Sequence, residues 1–167
     1  MKKWAGLLAA LLLTLGATAS AAVQIGDKAA DFTIVNSDGT MATLSTMLAQ
    51  KKAVYVYFWA SWCDMSWEEL PVVQAAYDQY GGDYGFIVAD VEAEDTVSTV
   101  EALKAELGLT TLPMGTGGLN AFLQYEQPGI PFSVLIDADG TIRAMHLGVA
   151  TEAGTLDALA GIENNSK

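Results

Sequence analysis

Ala53-Val54-Tyr55-Val56-Tyr57-Phe58-Trp59-Ala60-Ser61-Trp62-Cys63-Asp64-Met65-Ser66 is the stretch whose reading decides the fold. Its first six residues form a nearly continuous apolar run of β-branched and aromatic side chains. Such a run fits a central strand buried on both faces, not one with a solvated face. A helical pattern starts near Asp64, with Leu70, Val73, Tyr77 and Tyr80 at spacings of three and four on one apolar face. Cys63, the only cysteine in 167 residues, therefore stands at a strand-to-helix junction. The positive end of a helix favours the thiolate over the thiol. Three residues on, where a dithiol site would place its second sulfur, the chain has Ser66.

Working outward, Pro71 falls inside the predicted helix and should kink it. Gly81-Gly82 ends it. Tyr84 to Asp90 reads as a second apolar strand. Val97, Val100, Leu103 and Leu107 mark another amphipathic helix, with Gly108 suited to its C-terminal cap. Leu112 to Met114 predicts a short strand and Asn120 to Tyr125 a short helix, broken by Gln127-Pro128-Gly129-Ile130-Pro131. Phe132 to Ile136 and Thr141 to His146 predict a hairpin around Asp137-Ala138-Asp139-Gly140. Leu156, Leu159 and Ile162 predict a final helix with Thr151 as its N-cap. Upstream, Asp31 to Val35 reads as a strand, Asp38-Gly39 as a turn, and Leu44 to Leu48 as a short capped helical turn. This order predicts an α/β fold, a mixed sheet with helices on both faces.

The N-terminus reads as a secretory signal peptide over residues 1–22. It has Lys2 and Lys3, an apolar run from Trp4 to Leu13, and small residues from Ala17 to Ala22. The apolar run is shorter than the roughly 20 residues of a spanning helix. Cleavage would leave a single domain over residues 23–167, exported to a periplasm and without a membrane anchor. The full chain carries 8 basic and 20 acidic residues, a net charge of −12. Such a surface repels nucleic acid and anionic membrane. A lone cysteine in an oxidising compartment is a functional thiol, an intermolecular linker or an inert remnant.

These residues resemble the thioredoxin fold, and more narrowly the exported thiol–disulfide proteins of the TlpA and ResA type, with ties to the redoxin branch. The resemblance rests on Trp62-Cys63 after the central strand, Pro71 eight residues beyond the cysteine, Gly129-Ile130-Pro131, and Gly26-Asp27-Lys28-Ala29-Ala30-Asp31-Phe32. It implies a thioredoxin-like sheet with an N-terminal β-hairpin extension and a cis-proline at Pro131 facing Cys63. It also implies thiol–disulfide oxidoreductase or isomerase chemistry without a cofactor. Client proteins would be held by mixed disulfide or in a peptide groove, and an external thiol would act as reductant. Two departures go together: Ser66 replaces the second cysteine, and Tyr57 stands where many thioredoxins bury an aspartate that serves it. Phe132 stands where a threonine is common after the proline.

Cys63 and Ser66 are the candidate catalytic pair. Cys63 is expected as an exposed nucleophile, weakened by Asp64, Glu68 and Glu69; the bland alternative is a small buried hydrophobe. Ser66 can donate a hydrogen bond to the thiolate or be a helix residue without a role. Trp62, Trp67, Ile130 and Pro131 are the candidate substrate-binding residues. In this scheme Trp62 and Trp67 are partly exposed, Trp59 is core, and the Ile130 backbone is free to pair with an extended peptide. Peroxidase chemistry is disfavoured, since Ala60 holds the position of the peroxidatic threonine and the only arginine is Arg143. A Cu(I) site would draw on Cys63 and Met65, with Met114 or His146. A redox-silent binding module is the alternative from another class.

Overall fold

The computed structural model describes residues 23–151, 154, 155 and 161. The predicted signal segment and Leu156, Leu159 and Ile162 of the predicted last helix lie outside the described residues. The elements run β1 (Thr33–Asn36), β2 (Met41–Thr43), α1 (Leu44–Leu48), β3 (Ala53–Trp59), α2 (Asp64–Tyr80), β4 (Gly85–Asp90), α3 (Val97–Leu107), β5 (Met114–Thr116), α4 (Leu119–Leu123), β6 (Phe132–Asp137) and β7 (Ile142–Leu147). One seven-stranded sheet has the order β2-β1-β5-β4-β3-β6-β7. β3, β4 and β5 are parallel; β6 and β1 join them antiparallel, and each continues into a hairpin. The fold is thioredoxin-like, with the β1–β2 hairpin as its N-terminal extension.

The side-chain alternation of β3 divides the core between two faces. Ala53, Tyr55, Tyr57 and Trp59 pack with Leu70, Val73 and Ala76 of α2 and with Val100 and Leu103 of α3. Val54, Val56 and Phe58 pack with Leu44 of α1 and Ala121 of α4. All seven residues of β3 are buried, which is why the strand reads as an unbroken apolar run. Tyr57 thereby faces α2, and that orientation shapes the site.

Local signals explain most boundaries. Thr96 caps α3 through a capping box with Thr99, and Gly108 ends it in the left-handed region at φ 66°. Pro71 lies inside α2. The short strand predicted at 112–114 forms at Met114–Thr116, while Leu112, also buried in the core, precedes it. The turn at Leu44–Leu48 lacks the local cap expected of it, since Thr43 makes no side-chain cap bond. Asp31 supplies one from a distance: its carboxylate accepts from the Ser45 N–H at 2.8 Å and from the Ser45 hydroxyl at 2.7 Å. Thr151 Oγ1 accepts from the Gly154 N–H at 3.1 Å, as a capping residue would.

Candidate active site

Cys63 is the N-cap of α2. Its carbonyl accepts from the N–H groups of Ser66, at 2.9 Å, and Trp67, at 3.3 Å, while its own N–H bonds the Ala60 carbonyl at 3.1 Å. The thiol is thus held at the positive end of a 17-residue helix. It is less exposed than the sequence suggests, with 9% of its surface open. The cause is the segment facing it. The Ile130-Pro131 bond is cis, and the Cys63 thiol donates to the Ile130 carbonyl at 3.8 Å. Among the described residues no partner is seen for the Ile130 N–H.

Ser66 lies on the inner face of α2. It is fully buried, and its hydroxyl makes no bond to Cys63 and has no regular hydrogen-bond partner among the described residues. It lies beside the Tyr57 hydroxyl, close enough to favour ionisation of that phenol slightly. Burial dominates, however, and drives the Tyr57 pKa far above its ordinary value.

Glu69 is the residue that sequence reasoning misplaced. Expected among the acidic neighbours that weaken the thiol, it is instead fully buried, beneath the turn. The Tyr57 hydroxyl donates to its Oε2 at 3.2 Å. Burial pushes its pKa up to about 7. The Ala150 N–H and Tyr57 oppose that shift, yet among the described residues the Ala150 N–H makes no regular bond and Oε1 has no partner. The signal was present in the spacing. Val73 lies four residues after Glu69 and Leu70 four after Ser66, so both polar residues occupy the apolar face of α2.

The β4–α3 connection braces the other side of the thiol turn. Trp62 is 64% exposed, and its indole N–H donates to Glu92 Oε2 at 2.8 Å. Asp95 Oδ2 accepts from the Ser61 N–H at 3.3 Å. Trp67 is half-buried and donates from Nε1 to the Ser61 carbonyl at 2.9 Å. Trp59 is core. Asp90 ends β4 fully buried, with Oδ1 accepting from the Glu92 N–H at 2.8 Å and Oδ2 without a partner among the described residues. Burial, reinforced by Asp95 and Glu92, raises its pKa to about 8.

Met114 and His146 cannot both serve one soft-ligand site with Cys63 and Met65. Met114 is buried on β5 and His146 lies on β7, four strands apart in the sheet, or roughly 19 Å at the usual strand spacing. Arg143 is remote as well; it pairs with Asp137 at 2.7 Å, and Asp137 is in register with Ala53 at the opposite end of β3 from Cys63.

A sequence model of the AhpC/TSA family matches residues 25–158. The chain belongs to the AhpC/TSA family. Proteins similar to the chain include thioredoxin-like and thiol–disulfide oxidoreductase members. The chain is 27% identical over 165 residues to the thioredoxin-like protein YneN of Bacillus subtilis, covering 91% of this chain and 94% of that one. It is 29% identical over 152 residues to the thiol-disulfide oxidoreductase ResA of Geobacillus thermodenitrificans, covering 87% and 84%. The crystal structure of the exposed lipoprotein thioredoxin of Streptococcus pneumoniae superposes with a TM-score of 0.68 at 25% identity, over 79% of this chain and 99% of that one. Remote Arg143 and Ala60 set this family member apart from the peroxidase pattern considered above.

Proposed function

We propose that this protein is an exported thiol–disulfide oxidoreductase of monothiol type, which makes mixed disulfides with client proteins through Cys63. The observation behind this is the placement of the thiol as N-cap of α2 against the Ile130 carbonyl, with a buried serine in the second position. The family membership and the thiol–disulfide names of its relatives support the same chemistry.

The Cys63 thiolate attacks one sulfur of a client disulfide. One S–S bond forms, one breaks, and the client's other sulfur leaves as a thiolate. An extended client segment pairs with the Ile130 backbone beside Pro131, between Trp62 and Trp67. Ser66 has no sulfur with which to expel the client, so an external thiol must attack the mixed disulfide. Isomerisation and slow exchange are open to such a site; self-contained reduction is not. The N-terminal signal pattern and the exposed pneumococcal relative support work outside the cytoplasm, in a periplasm.

A redox-silent peptide-binding module is the second reading, favoured by the low exposure of Cys63 and the hold of the Ile130 carbonyl on its proton. One experiment separates them. The rate of thiol alkylation of the native protein is followed against pH, together with non-reducing gels of the native host. Fast native alkylation, with reductant-sensitive higher-mass species absent in Cys63→Ala, supports the exchange reading. A thiol that reacts only after unfolding rejects it in favour of the binding module.

A further inference from the structure

The sheet register sorts the charges of this molecule by end. Five lysine and arginine side chains lie among the described residues, and each is engaged away from Cys63. Lys52 precedes β3 and pairs with Asp83 before β4 at 2.9 Å. Lys51 donates to the Gly81 and Gly82 carbonyls beyond the far end of α2. Lys28 pairs with Asp139 in the β6–β7 turn at 3.2 Å, and Arg143 pairs with Asp137. Asp137 is in register with Ala53, so this turn also lies at the start of β3. Lys104 sits seven residues into α3, about 10 Å down its axis, and reaches Ser37 of the β1–β2 turn.

The Cys63 end is the reverse. Asp64 and Glu68 are exposed on the first turns of α2, and Glu92, Glu94 and Asp95 occupy the β4–α3 connection that touches Ser61 and Trp62. No lysine or arginine among the described residues answers them there. The same end exposes apolar surface: Trp62, Met65 at 48%, and the half-buried Ile130. This patch surrounds the thiol and the unpartnered Ile130 N–H. A segment docked on it meets an apolar floor with an acidic rim.

We propose that the client of Cys63 is a cationic segment, a disulfide-bonded cysteine flanked by lysine or arginine, selected by the acidic rim around an apolar contact at Trp62, Met65 and Ile130. The inference rests on the exchange reading above and specifies its substrate class. Opposite charges raise the local concentration and the encounter rate of such a segment, and like charges exclude an acidic one. The net charge of −12 alone would favour cations over the whole surface; segregation aims that preference at the thiol.

The test uses the purified protein and three short peptides, each carrying one cysteine as a mixed disulfide with 2-nitro-5-thiobenzoate. Their flanking residues are lysine, serine or glutamate. Attack by Cys63 forms the protein–peptide disulfide, breaks the probe disulfide and releases the coloured thiolate, whose appearance gives the rate. Nucleophilicity of the thiol is common to all three probes, so their rate ratios isolate the surrounding field. At low salt the lysine peptide should react about tenfold or more faster than the glutamate peptide. The ratio should fall towards one at about 1 M salt, where the screening length is roughly 3 Å. Glu68→Gln with Glu94→Gln, both on exposed surface, should lower the low-salt ratio several-fold. Equal rates for the three peptides, or a preference that ignores salt, overturn this inference and leave the exchange reading standing. Failure of all three to react with the native protein overturns both.

Discussion

The Tyr57 hydroxyl donates to Oε2 of Glu69 at 3.2 Å, joining the middle of β3 to the second turn of α2 beneath the thiol. The pair fills the space below Ser66 with an acid delivered by the helix, while the strand contributes a phenol. Both groups are fully buried, so their bond is made away from competing water.

Tyr57→Phe removes the donor and leaves a buried carboxyl with less support. We expect a loss of about 1–3 kcal/mol in urea denaturation at pH 8, where Glu69 is charged. The loss should be smaller at pH 5, where Glu69 is protonated. The Glu69 titration should also move upward, since Tyr57 favours its charged form. An equal loss at both pH values would mean that packing alone is at stake.

Glu69 and Asp90 give the fold an unusual pH dependence. Their pKa values are raised to about 7 and about 8, so the fold keeps protons that the unfolded chain loses near pH 4. Their stabilisation is therefore complete below about pH 4 and is lost as pH rises through about 7 and 8. Asp31, held low by its bonds to Ser45, Asp83, held low by Lys52, and Asp139, held at about 2 by Thr141, act oppositely and lose stability in acid. Stability should peak near about pH 4–5 and decline towards pH 8, by no more than about 1.4 kcal/mol per pH unit for each raised group. Glu69→Gln with Asp90→Asn should flatten that decline, as read from urea midpoints at several pH values.

Ser66→Cys should restore an internal disulfide with Cys63. The two positions are the N-cap and third residue of α2, one turn apart on the buried side. Oxidation should lower the intact mass by about 2 Da, the two hydrogens lost in closing a disulfide, and the variant should turn over a disulfide substrate with an added thiol as reductant. The new thiol would sit beside Tyr57 and above Glu69, next to a group able to exchange a proton near neutral pH. A variant that forms no internal disulfide on oxidation would rule out this geometry.

Much of the fold was legible because its signals are local. β3 is apolar without interruption, α3 carries its capping residues at both ends, and the β6–β7 hairpin is marked by its turn. The position of Cys63 followed from that strand and that helix. The surroundings of the thiol were less legible, because they depend on facing elements distant in sequence. Glu69 was read by its charge and not by its helical position, although Val73 and Leu70 already defined the buried face. The low exposure of Cys63 comes from Ile130, 67 residues later, and the tether on Trp62 from Glu92, 30 residues later. Charge composition gave the magnitude of the negative field; only the register of β3 with β4 and β6 revealed where the cations gather.

Pro71 bears on how these groups respond to load. A proline cannot supply the N–H that the carbonyl four residues earlier, at Trp67, would otherwise receive. α2 nonetheless runs as one helix from Asp64 to Tyr80, with one internal bond fewer at this point. Leu70, Val73 and Ala76 fasten it to the sheet on both sides of Pro71, and its first turns carry the Cys63 cap, Ser66 and Glu69. A pull on the Cys63 sulfur would load the first turns of α2, which the Tyr57–Glu69 bond ties to β3. Strain entering at the nearly buried thiol would meet a buried acid on the second turn of the same helix.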